Sequence, residues 1–302
     1  MTAPRQVVVR VPATTANLGP GFDCLGLALD LWNETTFTIA GSDIHLQIDG
    51  FGRGRVAEDR RNLVAQAFIR FYERAGKPLP AGVQIRCKNA IPLGSGLGSS
   101  GSAVLAGLMG ANALLGAPAG PDEILALATE MEGHPDNAAA AVYGGLTAAF
   151  TTPEGIVVRR MEPALWKTAV IVPQIHLPTQ TARAALPAQV PFKDAVFNIG
   201  RSVLVVQALQ SGDETILARS MQDRIHQPYR LKLIPGAEAA LSAALAAGAV
   251  AAAISGAGPG LIAFTHQAPD PILEAMTSAM SEAGVKTLAF GLDISLQGAS
   301  AV

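Results

Sequence analysis

The chain has 302 residues, of which 49% are hydrophobic and 15% charged, and 22 Lys and Arg against 24 Asp and Glu leave a net charge of −2. That balance provides neither the basic footprint of a nucleic-acid binder nor an acidic tail, and the length suffices for two domains and a sizeable core. Two cysteines, Cys24 and Cys87, are too few for a disulfide framework or a thiolate metal site, which points to a reducing, cytoplasmic setting.

Near the N-terminus the apolar stretch Val7 to Val11 is short and broken by Arg10, a strand pattern and not an export signal. Glu34 to Ile39 and Ile44 to Ile48 continue the strand pattern, with turn residues between them. Asn62 to Ala75 then sets Leu63, Val64, Ala67, Phe68 and Phe71 at helical spacing, closed by Gly76 and Pro78. Val83 to Cys87 reads as a further strand, a glycine loop follows Pro92, and Ser100 to Leu115 reads as a buried helix ended by Gly116, Pro118 and Pro121. Asp122 is placed to cap a helix from Glu123 to about Glu132. Residues 239 to 264 carry no charge and are long enough to span a bilayer, but Gly248 and the run Ser255 to Gly260 break any such helix. The segment reads instead as a helix ending near Gly248, a strand Ala249 to Ile254, a glycine turn and a strand Leu261 to Thr265. Strands and helices alternate without a regular βαβ period, which makes the class α+β. The turn Thr151 to Gly155 is the expected domain boundary, dividing the chain into 1–155 and 156–302, with Pro187 to Pro191 as a second candidate.

Four segments can carry chemistry. Pro92-Leu93-Gly94-Ser95-Gly96-Leu97-Gly98-Ser99-Ser100-Gly101-Ser102 follows a strand and opens a helix. Its glycines permit positive φ, so successive N–H groups can converge on an anion at the helix N-terminus. No Lys follows them, and their spacing departs from the dinucleotide pattern, so a plain glycine turn is the competing reading. Ser99 and Ser100 add hydroxyls, one to cap the helix and another to reach a Mg²⁺ riding on phosphates. Glu132-Gly133-His134-Pro135-Asp136-Asn137 gathers four polar side chains at a helix end, as a site between two buried helices or as a helix stop. Val11 to Asp23 reads as a small-residue loop that buries Asn17 and Asp23 among apolar neighbours, where polar groups need partners from the protein or from a ligand. Ser255-Gly256-Ala257-Gly258-Pro259-Gly260 allows close backbone approach to a ligand and equally suits an ordinary hairpin connection.

In chain order, P-A-T-T-A-N-L-G-P-G-F-D from Pro12, the glycine loop, E-G-H-P-D-N from Glu132, P-T-Q-T-A-R-A-A-L-P at 178 to 187, Q-P-Y-R-L-K-L-I-P at 227 to 235 and S-G-A-G-P-G resemble the motifs of the GHMP kinases. Within these small-molecule kinases the likeness is to the branch that acts on L-homoserine. The resemblance implies a two-domain α+β fold, with an N-terminal α/β ATP-binding domain and a C-terminal ferredoxin-like αβ domain. It implies ATP- and Mg²⁺-dependent phosphorylation of the side-chain hydroxyl of L-homoserine to O-phospho-L-homoserine, in threonine biosynthesis. By the same resemblance Pro92 to Ser102 hold ATP, Asn62 contacts adenine, and Ser100 and Glu132 ligate Mg²⁺. Asn17, Asp23, His134, Asn137, Arg183 and Arg230 fall where the family surrounds its amino-acid substrate. Asp23 suits the ammonium, and Arg183 and Arg230 suit the carboxylate, which a guanidinium binds bidentately. Other GHMP kinases use an Asp paired with a Lys near the N-terminus, whereas the first Lys here is Lys77. Asp136 acting as base is one route for the hydroxyl proton. Direct transfer to phosphate, with Asn17 and Asn137 orienting the hydroxyl, is the favoured one. No nucleic-acid or membrane partner is expected, and a homodimer is unremarkable for such an enzyme.

Overall fold

The computed structural model describes residues 5–302. A first sheet is formed by β1 (Gln6–Ala16), β2 (Leu25–Ile39), β3 (Ile44–Gly50), β4 (Val83–Asn89), β5 (Leu146–Thr152) and β6 (Gly155–Met161). Against it pack α1 (Leu63–Arg74), α2 (Ser99–Leu114), α3 (Pro121–Glu132) and α4 (Asp136–Tyr143). A second sheet is formed by β7 (Lys167–Pro173), β8 (Ala251–Ile254), β9 (Leu261–Thr265) and β10 (Thr287–Asp293). With it come α5 (Thr179–Ala184), α6 (Phe192–Ser211), α7 (Glu214–Ser220), α8 (Gln227–Arg230), α9 (Ala237–Ala246) and α10 (Asp270–Glu282). The chain ends by returning β11 (Ser300–Ala301) to the first sheet, antiparallel to β1.

In β1 the alternate residues Val7, Val9 and Val11 are buried, as a two-residue period requires of a strand with one face on a core. The strand order is β11-β1-β2-β4-β3, with β5 on β2 and β6 on β5. Only β3 and β4 are parallel, and α1 supplies the crossover that parallel neighbours need. That helix starts where Asn62 Oδ1 accepts the Val64 N–H at 2.9 Å, and it buries Val64, Ala67, Phe68 and Phe71. Phe68 stacks on Phe37 of β2, ring centroids 5.5 Å apart, and fixes the helix on the sheet. The second sheet has the order β10-β7-β9-β8 and is antiparallel throughout. Its β-α-β-β-α-β succession is the ferredoxin-like arrangement expected of the C-terminal domain. Leu27, Leu29 and Leu97 of the first unit and Trp166, Val170, Ile262 and Phe264 of the second share one buried cluster, so the two sheets meet in a common core.

Three expectations change. Thr151 to Gly155 is the turn of the β5–β6 hairpin, with Thr152 opposite Gly155. A division at 155/156 therefore cuts a hairpin, and the chain passes to the second sheet only between Met161 and Lys167. The loop reading of Pro12 to Ala16 gives way to strand: after a bulge between Pro12 and Ala13, residues Ala13 to Ala16 pair with Gly26 to Leu29. The cap of α3 is Gly120, and Asp122 instead accepts from the Tyr143 hydroxyl, which ties α3 to α4. Among the described residues no helix is long and apolar enough to cross a membrane.

Candidate active site

Between the two units lies a cleft of about 830 Å³, lined by the glycine loop, the start of α4, the loop before β2, the segment Val172 to Arg183, and the Gly256 to Gly258 turn. The glycine loop is held by neighbours far away in sequence. Thr14 N–H donates to Leu97 O at 3.1 Å, Gly260 N–H to Ser95 O at 3.1 Å, and Ser255 Oγ to Gly96 O at 2.7 Å. A Cβ on Gly96 would stand 2.3 Å from Ser255 O, so only glycine lets the two loops close on each other. The Ser255 to Gly260 turn, ambiguous in the sequence, is the clamp on the glycine loop.

Gly98 caps α2 in the left-handed region at φ 71°, and a Cβ there would meet Thr14 Oγ1 at 2.1 Å. Gly98→Ala is expected to cost about 2–4 kcal/mol through backbone strain and overlap. Thermal unfolding checks this, and an unchanged Tm would contradict the role given to the cap.

At the end of α3, Glu132 comes beside the start of α2, where Ser100 Oγ donates to Glu132 Oε1 at 2.7 Å. Burial pushes the Glu132 carboxyl above its ordinary value, against the hydrogen bond from Ser100. A partly buried carboxylate facing a hydroxyl at a helix N-terminus is short of positive charge. Two hard oxygen donors beside a glycine loop at a helix N-terminus have the chemistry that suits Mg²⁺. Among the described residues no cluster of three or more His, Cys, Asp or Glu could hold a metal by itself.

On the opposite wall Asp23 and Arg183 form a bidentate ion pair, at 2.8 and 2.9 Å. The resemblance sets them at opposite ends of a substrate, and the structure brings them together, because two opposite charges at one cleft edge attract although they stand 160 positions apart in sequence. Asn17, with φ 71°, donates from Nδ2 to Gly256 O at 2.7 Å and accepts from Asp23 N at 2.9 Å, so it shapes the loop that presents Asp23. Arg230 is 1% exposed yet lines the cleft. Its acceptors are neutral: Gly256 O at 3.2 Å, Ala182 O at 3.4 Å and His226 Nδ1 at 3.4 Å. Burial lowers its pKa, and the neighbouring Arg183 charge adds to the effect.

His134 Nδ1 lies 2.6 Å from Asp136 Oδ1, and that hydrogen bond raises the imidazole pKa. The same Oδ1 accepts Asn137 N–H at 2.8 Å, while Asn137 Oδ1 accepts from Thr14 Oγ1 at 2.8 Å. Leu97 is the one glycine-loop side chain turned away, fully buried in the inter-sheet core. Ser102 is buried on the second turn of α2 and accepts from Asn33 Nδ2 at 3.1 Å. With Asn62, whose Nδ2 donates to Ala57 O, it borders a second cavity of about 430 Å³. Ile48, Val56 and Cys87 also line that cavity, which adjoins the main cleft at Leu93, Gly94, Ser99 and Ser100.

Sequence reading passed over His226, one residue before its Q-P-Y-R motif. The ring is fully buried, with Nε2 2.8 Å from Gly19 O. Burial holds its pKa below the ordinary imidazole value; Arg230 acts in the same sense, and Asp223, Asp23 and the Gly19 carbonyl oppose it. Below about pH 6.5 the unfolded chain thus takes up a proton that the folded chain resists. Stability is complete above that value and falls as pH drops toward the folded-state pKa. His226→Asn is expected to flatten this decline in thermal unfolding between about pH 7.5 and 5.5; identical slopes for both proteins would contradict it.

A glycine-loop helix N-terminus, a Ser–Glu oxygen pair and an adjoining mixed-charge wall define a small-molecule kinase of two-domain α+β architecture. Comparison with known proteins agrees: the models of the GHMP kinases N terminal domain and the GHMP kinases C terminal match residues 62–145 and 205–282. The homoserine kinase of Moorella thermoacetica is 44% identical over 280 residues, 92% of this chain and 94% of that protein. That of Trichodesmium erythraeum is 42% identical over 99% of both. The crystal structure of homoserine kinase from Cytophaga hutchinsonii superposes with a TM-score of 0.89 at 30% identity, covering 100% of this chain and 99% of that one. The chain belongs to the GHMP kinase family and, within it, to the homoserine kinases.

Proposed function

We propose that this enzyme transfers the γ-phosphoryl group of ATP to the side-chain hydroxyl of L-homoserine, giving O-phospho-L-homoserine for threonine biosynthesis, in the cleft between its two sheets. The observation that carries the reading is Arg230, a buried guanidinium at the cleft wall with only neutral acceptors around it. Asp23, Asp223 and Asp136 act on it only from beyond hydrogen-bonding distance, so the buried cation lacks a direct carboxylate partner, and a substrate carboxylate supplies one. Asp23 and Arg183 add a matched pair of charges, and a zwitterion carries the complement of both. The glycine-loop amides and the α2 N-terminus take the phosphates, and the cavity beside Asn62, Ile48 and Cys87 takes the base.

Ser100 and Glu132 would hold Mg²⁺, which when bound neutralises charge on the phosphate oxygens. Asn137 and Asn17 orient the hydroxyl. Its oxygen attacks phosphorus, the bond to ADP breaks, and the hydroxyl proton passes to a phosphoryl oxygen. Direct transfer is the route we favour: Asp136 Oδ1 holds His134 and Asn137 N–H, which gives that carboxylate a positioning role, and no Lys lines the cleft. We place the reaction in the cytoplasm and expect a homodimer. ADP release is tested with L-homoserine against 4-hydroxybutanoate and 3-aminopropan-1-ol, which lack one charge each. Each is expected to lose about 10²-fold or more in kcat/KM, because it strands a charged partner in the site. Equal turnover of the three would refute the zwitterion subsite.

A further inference from the structure

We infer that His226 is a positioning residue for the amino-acid subsite: one imidazole bridges the loop that carries Asp23 and the helix that carries Arg230, and sets where the guanidinium stands. The inference rests on Arg230 receiving the substrate carboxylate.

Gly19 O can only accept, so the Nε2 atom 2.8 Å from it carries the proton. The neutral ring then presents the Nδ1 lone pair to Arg230 Nη1, 3.4 Å away. His226 is the N-terminal cap residue of α8 and its carbonyl accepts from Arg230 N–H at 3.1 Å, one turn on, which brings the two side chains together. Phe22, from the same loop as Gly19 and Asp23, packs on both: its ring centroid is 5.1 Å from that of His226 and 5.1 Å from Arg230 Cζ.

The nearby carboxylate of Asp223 is otherwise engaged. Oδ1 accepts from Asn198 Nδ2 and Ile225 N–H, and Oδ2 from the N–H groups of His226 and Gln227, all at 2.6–3.0 Å. Asp223 thus anchors the start of α8, and its Oδ2 stays 3.7 Å from His226 Nε2. Arg230 is left with three long, neutral acceptors that aim the guanidinium without cancelling its charge. Burial keeps His226 unprotonated, which preserves the accepting lone pair. His226 does not line the cleft, so its effect on substrate passes through Arg230 and the Gly19 loop.

Four variants and one double variant test this in the full-length enzyme, by steady-state kinetics with L-homoserine and ATP varied separately. His226→Phe keeps the stacking and removes both nitrogens; it is expected to raise KM for L-homoserine about 10- to 100-fold and to leave KM for ATP within about twofold. His226→Asn keeps an amide near the Nδ1 position and is expected to recover most of that loss, whereas His226→Gln, which reaches only the Nε2 end, is not. On an Arg230→Met background His226→Phe is expected to add less than about twofold, because the two changes share one path. If His226→Phe leaves KM for L-homoserine unchanged while Arg230→Met raises it, or if it raises both KM values alike, the positioning role is overturned. If Arg230→Met itself leaves that KM unchanged, the carboxylate reading of Arg230 fails first, a distinguishable result. Should His226→Phe not fold, equal KM values for the Asn and Gln variants overturn the inference.

Discussion

Glu132→Gln is expected to lower kcat/KM by about 10³-fold, equivalent to about 4 kcal/mol of transition-state stabilisation, while the fold stays intact. The amide has the shape of the carboxylate and can still accept from Ser100 Oγ, so what is lost is the negative charge. That charge is costly in the folded protein, since burial pushes the Glu132 carboxyl upward. Removing it relieves desolvation, and Tm is expected to hold or rise. A variant with full stability and a shifted Mg²⁺ requirement places Glu132 at the metal. Activity within about tenfold of wild type would remove it from that role.

Arg230→Met is expected to separate function from stability in the same way. The substitution keeps an unbranched chain in a site that is 1% exposed, and takes away a cation with no carboxylate partner in the protein. Replacing a buried charge that has no direct ion-pair partner by apolar volume of similar size is often neutral or stabilising. Of the three acceptors it abandons, all at 3.2 Å or longer, Gly256 O still receives Asn17 Nδ2 at 2.7 Å. Tm is therefore expected to stay or increase. Catalysis is expected to fall by about 2–5 kcal/mol in kcat/KM, as when one partner of a desolvated charge pair is truncated. The loss should lie in L-homoserine, with KM for ATP little changed. A large drop in Tm would show that Arg230 serves the fold, and retained kcat/KM would show that it does not meet the substrate.

The parts of the site that sequence reading reached are those written in a few adjacent residues or at predictable helix ends. The three glycines after a strand and the serine that opens α2 are a local pattern that suits a phosphate cradle, with a plain glycine turn as its rival. Glu132 is legible as the last residue of a helix, although its meeting with Ser100 depends on how α3 packs on α2. Arg183 and Arg230 came from motif resemblance, since lone arginines in sequence look like surface charges. Their environments were not legible: the Asp23–Arg183 pair joins residues 160 apart, and the neutral surroundings of Arg230 come from three separate segments. His226 stayed hidden because a buried histidine bonded to a carbonyl leaves no sequence pattern. The second cavity, which we propose for the base, was missed because Ile48, Val56 and Cys87 are ordinary strand and loop residues. The α+β class was legible from the absence of a regular βαβ period, whereas the ferredoxin-like half came only from the motif resemblance. The domain boundary was not, since a Thr-Thr-Pro-Glu-Gly hairpin turn has the composition of a linker.

The most direct test of the central claim is ADP release from ATP and Mg²⁺, measured in parallel with L-homoserine, mevalonate and galactose. ADP formation with L-homoserine alone, lost by several kcal/mol in kcat/KM on Arg183→Ala, is the predicted result. Turnover of mevalonate or galactose at a comparable rate, or no turnover of L-homoserine by protein that binds ATP, would contradict it.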